Sequence, residues 1–213
     1  MVGTEKGGVG KSTFTQNLAS IRASLKRRVA VFDLDGQNST AKWASRRADN
    51  PALAPVHVER WEPRTPITKE EFGAVIARLI DTYDDVFIDV GGRDSDGFQW
   101  GLGVADRVIA PLVPSQMDLD TVPDLHALVG TYAKKINLSV VLNMADKRKR
   151  FTKAMVQKME PYADRLPLMS HMVAPRESYK FANAQGRGVG ELSGSEWDAS
   201  AANEMKDLYL GTF

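Results

Sequence analysis

The stretch Lys6-Gly7-Gly8-Val9-Gly10-Lys11-Ser12-Thr13 follows a short apolar start and precedes a helix-like run, which is the setting a phosphate-binding loop requires. Gly7, Gly8 and Gly10 are free to take positive φ and let backbone N–H groups close around phosphate oxygens. Lys11 supplies a cation to the β- and γ-phosphates, and Ser12 places a hydroxyl where a Mg²⁺ ion would sit. A helix starting there points the positive end of its dipole at the same anion. The strict pattern G-x-x-x-x-G-K-[ST] asks for glycine at Glu5; what stands here is K-G-G-x-G-K-[ST], with an additional lysine at Lys6. A glycine turn that merely caps a helix is the competing reading, and the apolar segment before it argues against that.

Outward from the loop, apolar runs and helical stretches alternate. Arg28 to Phe32, Asp85 to Val90, Arg107 to Val113 and Leu138 to Leu142 read as buried strands, with Val56 to Glu59 as a further candidate. Between them lie helix-like segments at Ser12 to Leu25, Thr40 to Ala48, Lys69 to Tyr83, Leu119 to Lys134 and Thr152 to Ala163, and Trp197 to Leu210 reads as a closing helix. That alternation predicts an α/β fold, a mostly parallel twisted sheet with helices on both faces in three layers, the P-loop NTPase arrangement. Residues 49 to 68, with Pro51, Pro55, Pro63 and Pro66, read as a connection around the sheet edge, and Gly186 to Gly194 as a second loop. The whole chain, 1 to 213, is expected to form one domain.

Composition narrows the chemistry. No cysteine among 213 residues excludes disulfides, iron-sulfur ligation and thiolate catalysis, and three histidines leave a zinc cage short of ligands. Any metal should be a hard ion held by oxygens. A formal net charge of +1 gives no whole-molecule field toward nucleic acid, so such a surface must be a local patch. Residues 1 to 13 do not read as a signal peptide, and no apolar run reaches the length of a bilayer span, so a cytoplasmic protein is expected.

Two carboxylate elements follow the loop. Asp33 and Asp35 share one face, by alternation, at the carboxyl end of the Arg28 to Phe32 strand, where open α/β sheets bind ligands; they would equally serve to cap the helix beginning near Ser39. Val86-Phe87-Ile88-Asp89 is a hydrophobic run ending in a carboxylate, as in a Walker B element, so Asp89 would hold Mg²⁺ through a water or through Ser12. Gly91-Gly92 leave room beside a γ-phosphate and suit a switch.

The loop with its extra lysine, the D-x-D segment at Asp33 to Asp35, the Asp89 strand and the Arg107 to Ser115 strand with Met117-Asp118-Leu119 together resemble the deviant-Walker-A ATPases. These include ParA-type partition proteins, MinD and the nitrogenase iron protein. The resemblance implies that Lys6 is the signature lysine, reaching across an interface to the partner subunit's nucleotide, so that ATP binding forms a sandwich homodimer. It implies that Asp35 orients the attacking water and that Asp33 supports the Mg²⁺ shell, with Lys6 and Lys11 assisting the transfer. Gly36 stands where the family has proline. Asn143 matches an adenine-contacting asparagine, although asparagine after a strand is also a common turn residue, and Pro175-Arg176 match another base-contacting loop.

The layout is most similar to small ParA-type proteins of the ParF kind, which lack an N-terminal helix-turn-helix; with five residues before Lys6, operator binding is not expected, and the first strand is shorter than is usual. The resemblance implies a slow, partner-stimulated ATPase (ATP to ADP and phosphate). As an ATP dimer it would bind DNA nonspecifically on the nucleoid and position plasmid or other DNA cargo with a ParB-like partner. The candidate DNA surface is Lys147, Arg148, Lys149, Arg150 and Lys153, with Lys158, extended by Arg176, Lys180 and Arg187; a solvated helix face is the alternative. A MinD-like role would need a basic amphipathic C-terminal helix, which Ala201 to Phe213 does not supply, so membrane binding is not expected. Zero cysteines exclude the iron protein, and a biosynthetic ligase of the same superfamily would need an acid-substrate pocket that no residue set suggests.

Overall fold

A computed structural model describes residues 1–61, 67–91, 95–132 and 136–213. Its six strands are β1 (Val29–Asp33), β2 (His57–Arg60), β3 (Asp85–Asp89), β4 (Val108–Leu112), β5 (Leu138–Leu142) and β6 (Leu168–Met172). The order runs β2-β1-β3 and β4-β5-β6, every pairing parallel. Val2 joins the halves, bridging in parallel to Asp89 and to Ile109, with its N–H donating to Ile88 and that of Gly3 to Ile109. The short start of the chain is therefore the middle rung of the sheet, and the glycine loop rises from its centre.

Helices α1 (Lys11–Ser24), α2 (Ser39–Ala48), α3 (Lys69–Thr82), α4 (Ser95–Val104), α5 (Gln116–Leu119), α6 (Val122–Gly130), α7 (Arg150–Met159), α8 (Glu177–Ala184) and α9 (Ala199–Thr212) are joined by 3-10 turns at Glu160–Tyr162, Val189–Glu191 and Gly194–Glu196. Side chains alternate between two cores, as the strand period demands. Ala30, Phe32, Val140 and Leu142 face one with Phe72, Leu79, Phe98 and Met155, while Val29, Val31 and Val141 face the other with Phe14, Leu18, Met205 and Leu208. This is the three-layer α/β fold expected from the alternation.

Three elements escape the apolar pattern for identifiable reasons. β6 (LMSHM) is an edge strand with a register shift against β5, so it needs no buried alternation. α4 carries Gly97, Gly101 and Gly103, poor helix formers; a Cβ at Gly101 would lie 2.3 Å from the Met1 sulfur, so a larger residue there would displace the Met1 side chain. The single helix expected from Leu119 to Lys134 is two, because Pro123 opens a new helix in its first turn; Lys134 lies outside the described residues, as do Pro63, Pro66 and Gly92.

The Gly186 to Gly194 stretch is a loop, but a tied one. Glu191 takes the Arg47 guanidinium in a bidentate pair at 2.7 and 2.7 Å, and Arg47, 2% exposed, also donates to the carbonyls of Ala54 and Gly186. Removing the carboxylate leaves a buried cation with two carbonyls and the Trp43 ring as partners but no counter-charge, so Glu191→Ala is expected to destabilise the protein by about 3 kcal/mol. Urea unfolding would measure it, and a loss below about 1 kcal/mol would show the pair to be dispensable.

Candidate functional site: a phosphate loop facing two carboxylate strands

Gly10 is the N-cap of α1 at φ 95°, and Gly8 lies at φ 76°. Both use the conformation open to glycine, whereas Gly7 does not adopt a positive φ, against expectation. Gly10 is constrained twice, because a Cβ on it would stand 2.1 Å from the Asn143 side-chain nitrogen. That nitrogen donates to the Val9 carbonyl at 2.8 Å, bracing the loop from the end of β5.

Lys11, 5% exposed, folds over the loop with its Nζ donating to the Lys6 carbonyl at 2.5 Å. Burial lowers its pKa, while the charges of Asp89 and Asp35 act in the opposite sense. The Lys6 ammonium reaches the Asp118 carboxylate of its own chain at 2.5 Å. Asp118 is 1% exposed and also accepts from the Val113 N–H at 3.1 Å and from the Ser115 hydroxyl. Sequence reasoning gave Asp118 no role; the local signal was Ser115, which caps α5 by accepting from the Asp118 N–H.

Parallel pairing of β1 with β3 sets Asp33 opposite Asp89. Asp33 is fully buried, but its two oxygens accept from the backbone N–H groups of Asp35 at 3.1 Å and Ala41 at 2.9 Å. Asp33 thus holds the Asp35 loop and the first turn of α2, the capping role its position also allows. Asp35 remains half-exposed, its Oδ1 accepting from Gln37 N–H, with Gly91 packed alongside.

Asp89 is fully buried, and burial, then the neighbouring Asp33 charge, push its pKa up to about 7; hydroxyls of Thr40 and Ser12 favour the charged form. One oxygen accepts from Thr40 at 2.6 Å, and the other is buried without a partner. A fully buried orphan carboxylate oxygen beside a serine hydroxyl fits a hard cation. Among the described residues no three His, Cys, Asp or Glu side chains converge as a metal cage. An ion at Asp89 and Ser12 would therefore take most of its oxygens from phosphate and water, as Mg²⁺ does.

Beside the loop, a cleft of about 510 Å³ is lined by Thr13, Asn143, Met144, Pro175, Arg176 and Asn183, among others. The sequence candidates for base contact are thus gathered, with one difference. The Arg176 guanidinium is committed to Glu204 at 2.6 Å and lies 3.7 Å from Asp198, so it shapes the wall. Lys147, Lys149, Arg150, Lys153 and Lys158 are exposed on the β5–α7 connection and the outer side of α7, whose Thr152, Met155 and Met159 face inward. Arg148 is exposed but paired with Asp146 at 3.0 Å. Arg187 does not join them: its guanidinium donates to the Glu191 carbonyl and its own carbonyl accepts from the Trp43 indole.

The model of the CobQ/CobB/MinD/ParA nucleotide-binding domain matches residues 1–189. A maintenance of carboxysome distribution protein A from Gloeobacter kilaueensis is 32% identical over 114 residues, covering 54% of this chain and 48% of that protein. The chain spans between about half and two thirds of the length of the curated relatives it matches. Apo McdA of Cyanothece superposes with a TM-score of 0.75 at 15% identity, covering 97% of each chain. A Borrelia burgdorferi protein assigned to plasmid partition, bound to AMPPNP, gives 0.74 at 16% identity over 99% of this chain and 97% of its own. Among the described residues no helix is long and apolar enough to cross a membrane.

Proposed function

The chain belongs to the CobQ/CobB/MinD/ParA nucleotide-binding family, and from that premise we propose that it is a ParA-type positioning ATPase whose ATP-bound homodimer binds DNA nonspecifically and is released when a ParB-like partner speeds hydrolysis. The observation that carries the reading is the second lysine: Lys6 sits at the mouth of the loop closed by Lys11, its side chain only one quarter exposed and its ammonium held by Asp118. A lysine placed there has a nucleotide phosphate as its natural second address.

In this reading the loop N–H groups and Lys11 bind the triphosphate, and Ser12 with the free oxygen of Asp89 holds Mg²⁺. The ion would neutralise phosphate charge during transfer. Asp35, on a loop fixed by Asp33 and adjacent to Gly91, orients the water. Asn143 braces the loop and walls the base cleft, with Pro175 opposite. Lys147 to Arg150, Lys153 and Lys158 supply the cationic surface, which suits phosphate contacts without base readout.

The deciding experiment is DNA binding with ATP, ADP and no nucleotide at two salt concentrations. Binding is expected with ATP alone, and weaker at the higher salt. ATP-independent binding, or none, would refute the DNA role. Asp35→Ala is expected to cut ATP turnover about 100-fold while leaving ATP bound, so the dimer stays on DNA. Phosphate release and filter retention together would check it, and unchanged turnover would remove Asp35 from the mechanism.

A further inference from the structure

A chain of side chains, buried at Thr40 and Gln16 and half-buried at Asn183 and Arg46, leads away from the bound oxygen of Asp89. The Thr40 hydroxyl donates to Asp89 at 2.6 Å; the Gln16 amide donates to Thr40 at 3.3 Å; the Asn183 amide donates to Gln16 at 2.7 Å. Arg46 closes the series, donating to the Asn183 side-chain oxygen at 3.1 Å and to its carbonyl at 3.0 Å. Thr40 is 0% exposed and Gln16 3%, positions where apolar residues would pack without the cost of desolvating polar groups.

The chain has a direction. A guanidinium only donates, so Asn183 must accept with its oxygen and donate with its nitrogen; Gln16 must then accept from Asn183 and donate to Thr40. That leaves the Thr40 hydrogen for the carboxylate. Every link therefore points from the cation of Arg46 to the anion of Asp89, the arrangement in which hydrogen bonds polarise one another. Its far end matters too, because Asn183 lines the cleft beside the loop together with Thr13 and Asn143. Three helices contribute: α1 through Gln16, α2 through Thr40 and Arg46, α8 through Asn183.

We propose that Thr40, Gln16 and Asn183 are positioning residues that hold one oxygen of Asp89 so that the other faces the metal, and that they couple metal binding to the wall of the nucleoside cleft. The inference rests on the proposed Mg-nucleotide site. Its prediction is selective: breaking the chain should weaken the ion more than the nucleotide, because the loop, Lys11 and Asn143 are untouched.

The test is Mg²⁺ titration of full-length protein holding a fluorescent ATP analogue, read by anisotropy, beside binding of the same analogue in EDTA. Thr40→Val keeps the shape and removes the donor, and is expected to raise the Mg²⁺ half-saturation about tenfold while EDTA affinity stays within about twofold. Thr40→Ser should restore the wild-type value. Asn183→Ala should shift the Mg²⁺ dependence about threefold, and Thr40→Val with Asn183→Ala should be no worse than Thr40→Val alone, because one chain is already broken. An unshifted Thr40→Val, an equal loss in EDTA, or a double variant whose shift is the product of the singles would overturn the relay. Wild-type protein that binds no nucleotide would overturn the proposed function and the relay together; wild-type binding with unshifted variants would overturn the relay alone.

Discussion

Lys11→Ala is expected to weaken ATP binding by at least about 100-fold, the scale of truncating one partner of a buried charge pair. The ammonium closes the loop on the Lys6 carbonyl and interacts electrostatically with Asp89 and Asp35. Removing it subtracts an attractive cation and exposes the incoming triphosphate to those two carboxylates at short range. Neutral polar replacements would not rescue the site, because the repulsion is between charges, so Lys11→Gln should fail similarly. The apo fold should survive: Lys11 donates to one backbone carbonyl, and the helix behind it is anchored by Phe14 and Leu18, both 0% exposed. Calorimetric titration with Mg-ATP, paired with circular dichroism, checks both halves. An affinity within about threefold of wild type would mean that the phosphates do not sit in this loop.

How much of this was legible in the amino-acid sequence follows from which forces leave a local trace. The glycine loop and the Val86 to Asp89 strand carry their chemistry in consecutive residues, so their place in the fold could be read directly. The environment of Asp33 was not legible because it depends on register: only pairing of β1 with β3, and the turn into α2, bring the N–H groups of Asp35 and Ala41 onto its oxygens. Asp118 and Thr40 were passed over for a related reason. Their partners, Lys6 and Asp89, lie 112 and 49 residues away, and neither spacing has a periodic signature. Arg187 looked like a surface cation because charge is visible in sequence and the direction of a side chain is not; half-buried, it turns a guanidinium N–H to the Glu191 carbonyl of the loop it stabilises. The missed edge strand β6 and the glycine-bearing α4 show the same limit, since both are specified by neighbours and not by their own pattern.

Lys6→Ala is expected to leave nucleotide affinity within about threefold and to abolish ATP-dependent dimerisation, raising the dimer dissociation constant by at least about 50-fold, as for loss of a charge pair across an interface. The reasoning turns on what holds Lys6 in the single chain. Its ammonium is paired with Asp118, a buried carboxylate, so separating them costs on the order of 3 kcal/mol unless another anion takes the ammonium. Asp118 would not be orphaned by the separation, because Ser115 and the Val113 N–H still donate to it. Lys6 can therefore leave its own chain once a triphosphate on a facing subunit offers a stronger anion. The companion variant Asp118→Asn drops the charge, keeps one oxygen to accept from the Val113 N–H and turns an amide N–H toward the Ser115 hydroxyl, which then accepts; it should lower the dimer dissociation constant about fivefold by removing the competing address. Sedimentation of the ATP-bound proteins, in an Asp35→Ala background so that hydrolysis does not dissolve the complex, measures both. Dimerisation of Lys6→Ala at wild-type concentrations would assign Lys6 to its own chain's architecture and leave the shared nucleotide without its trans contact.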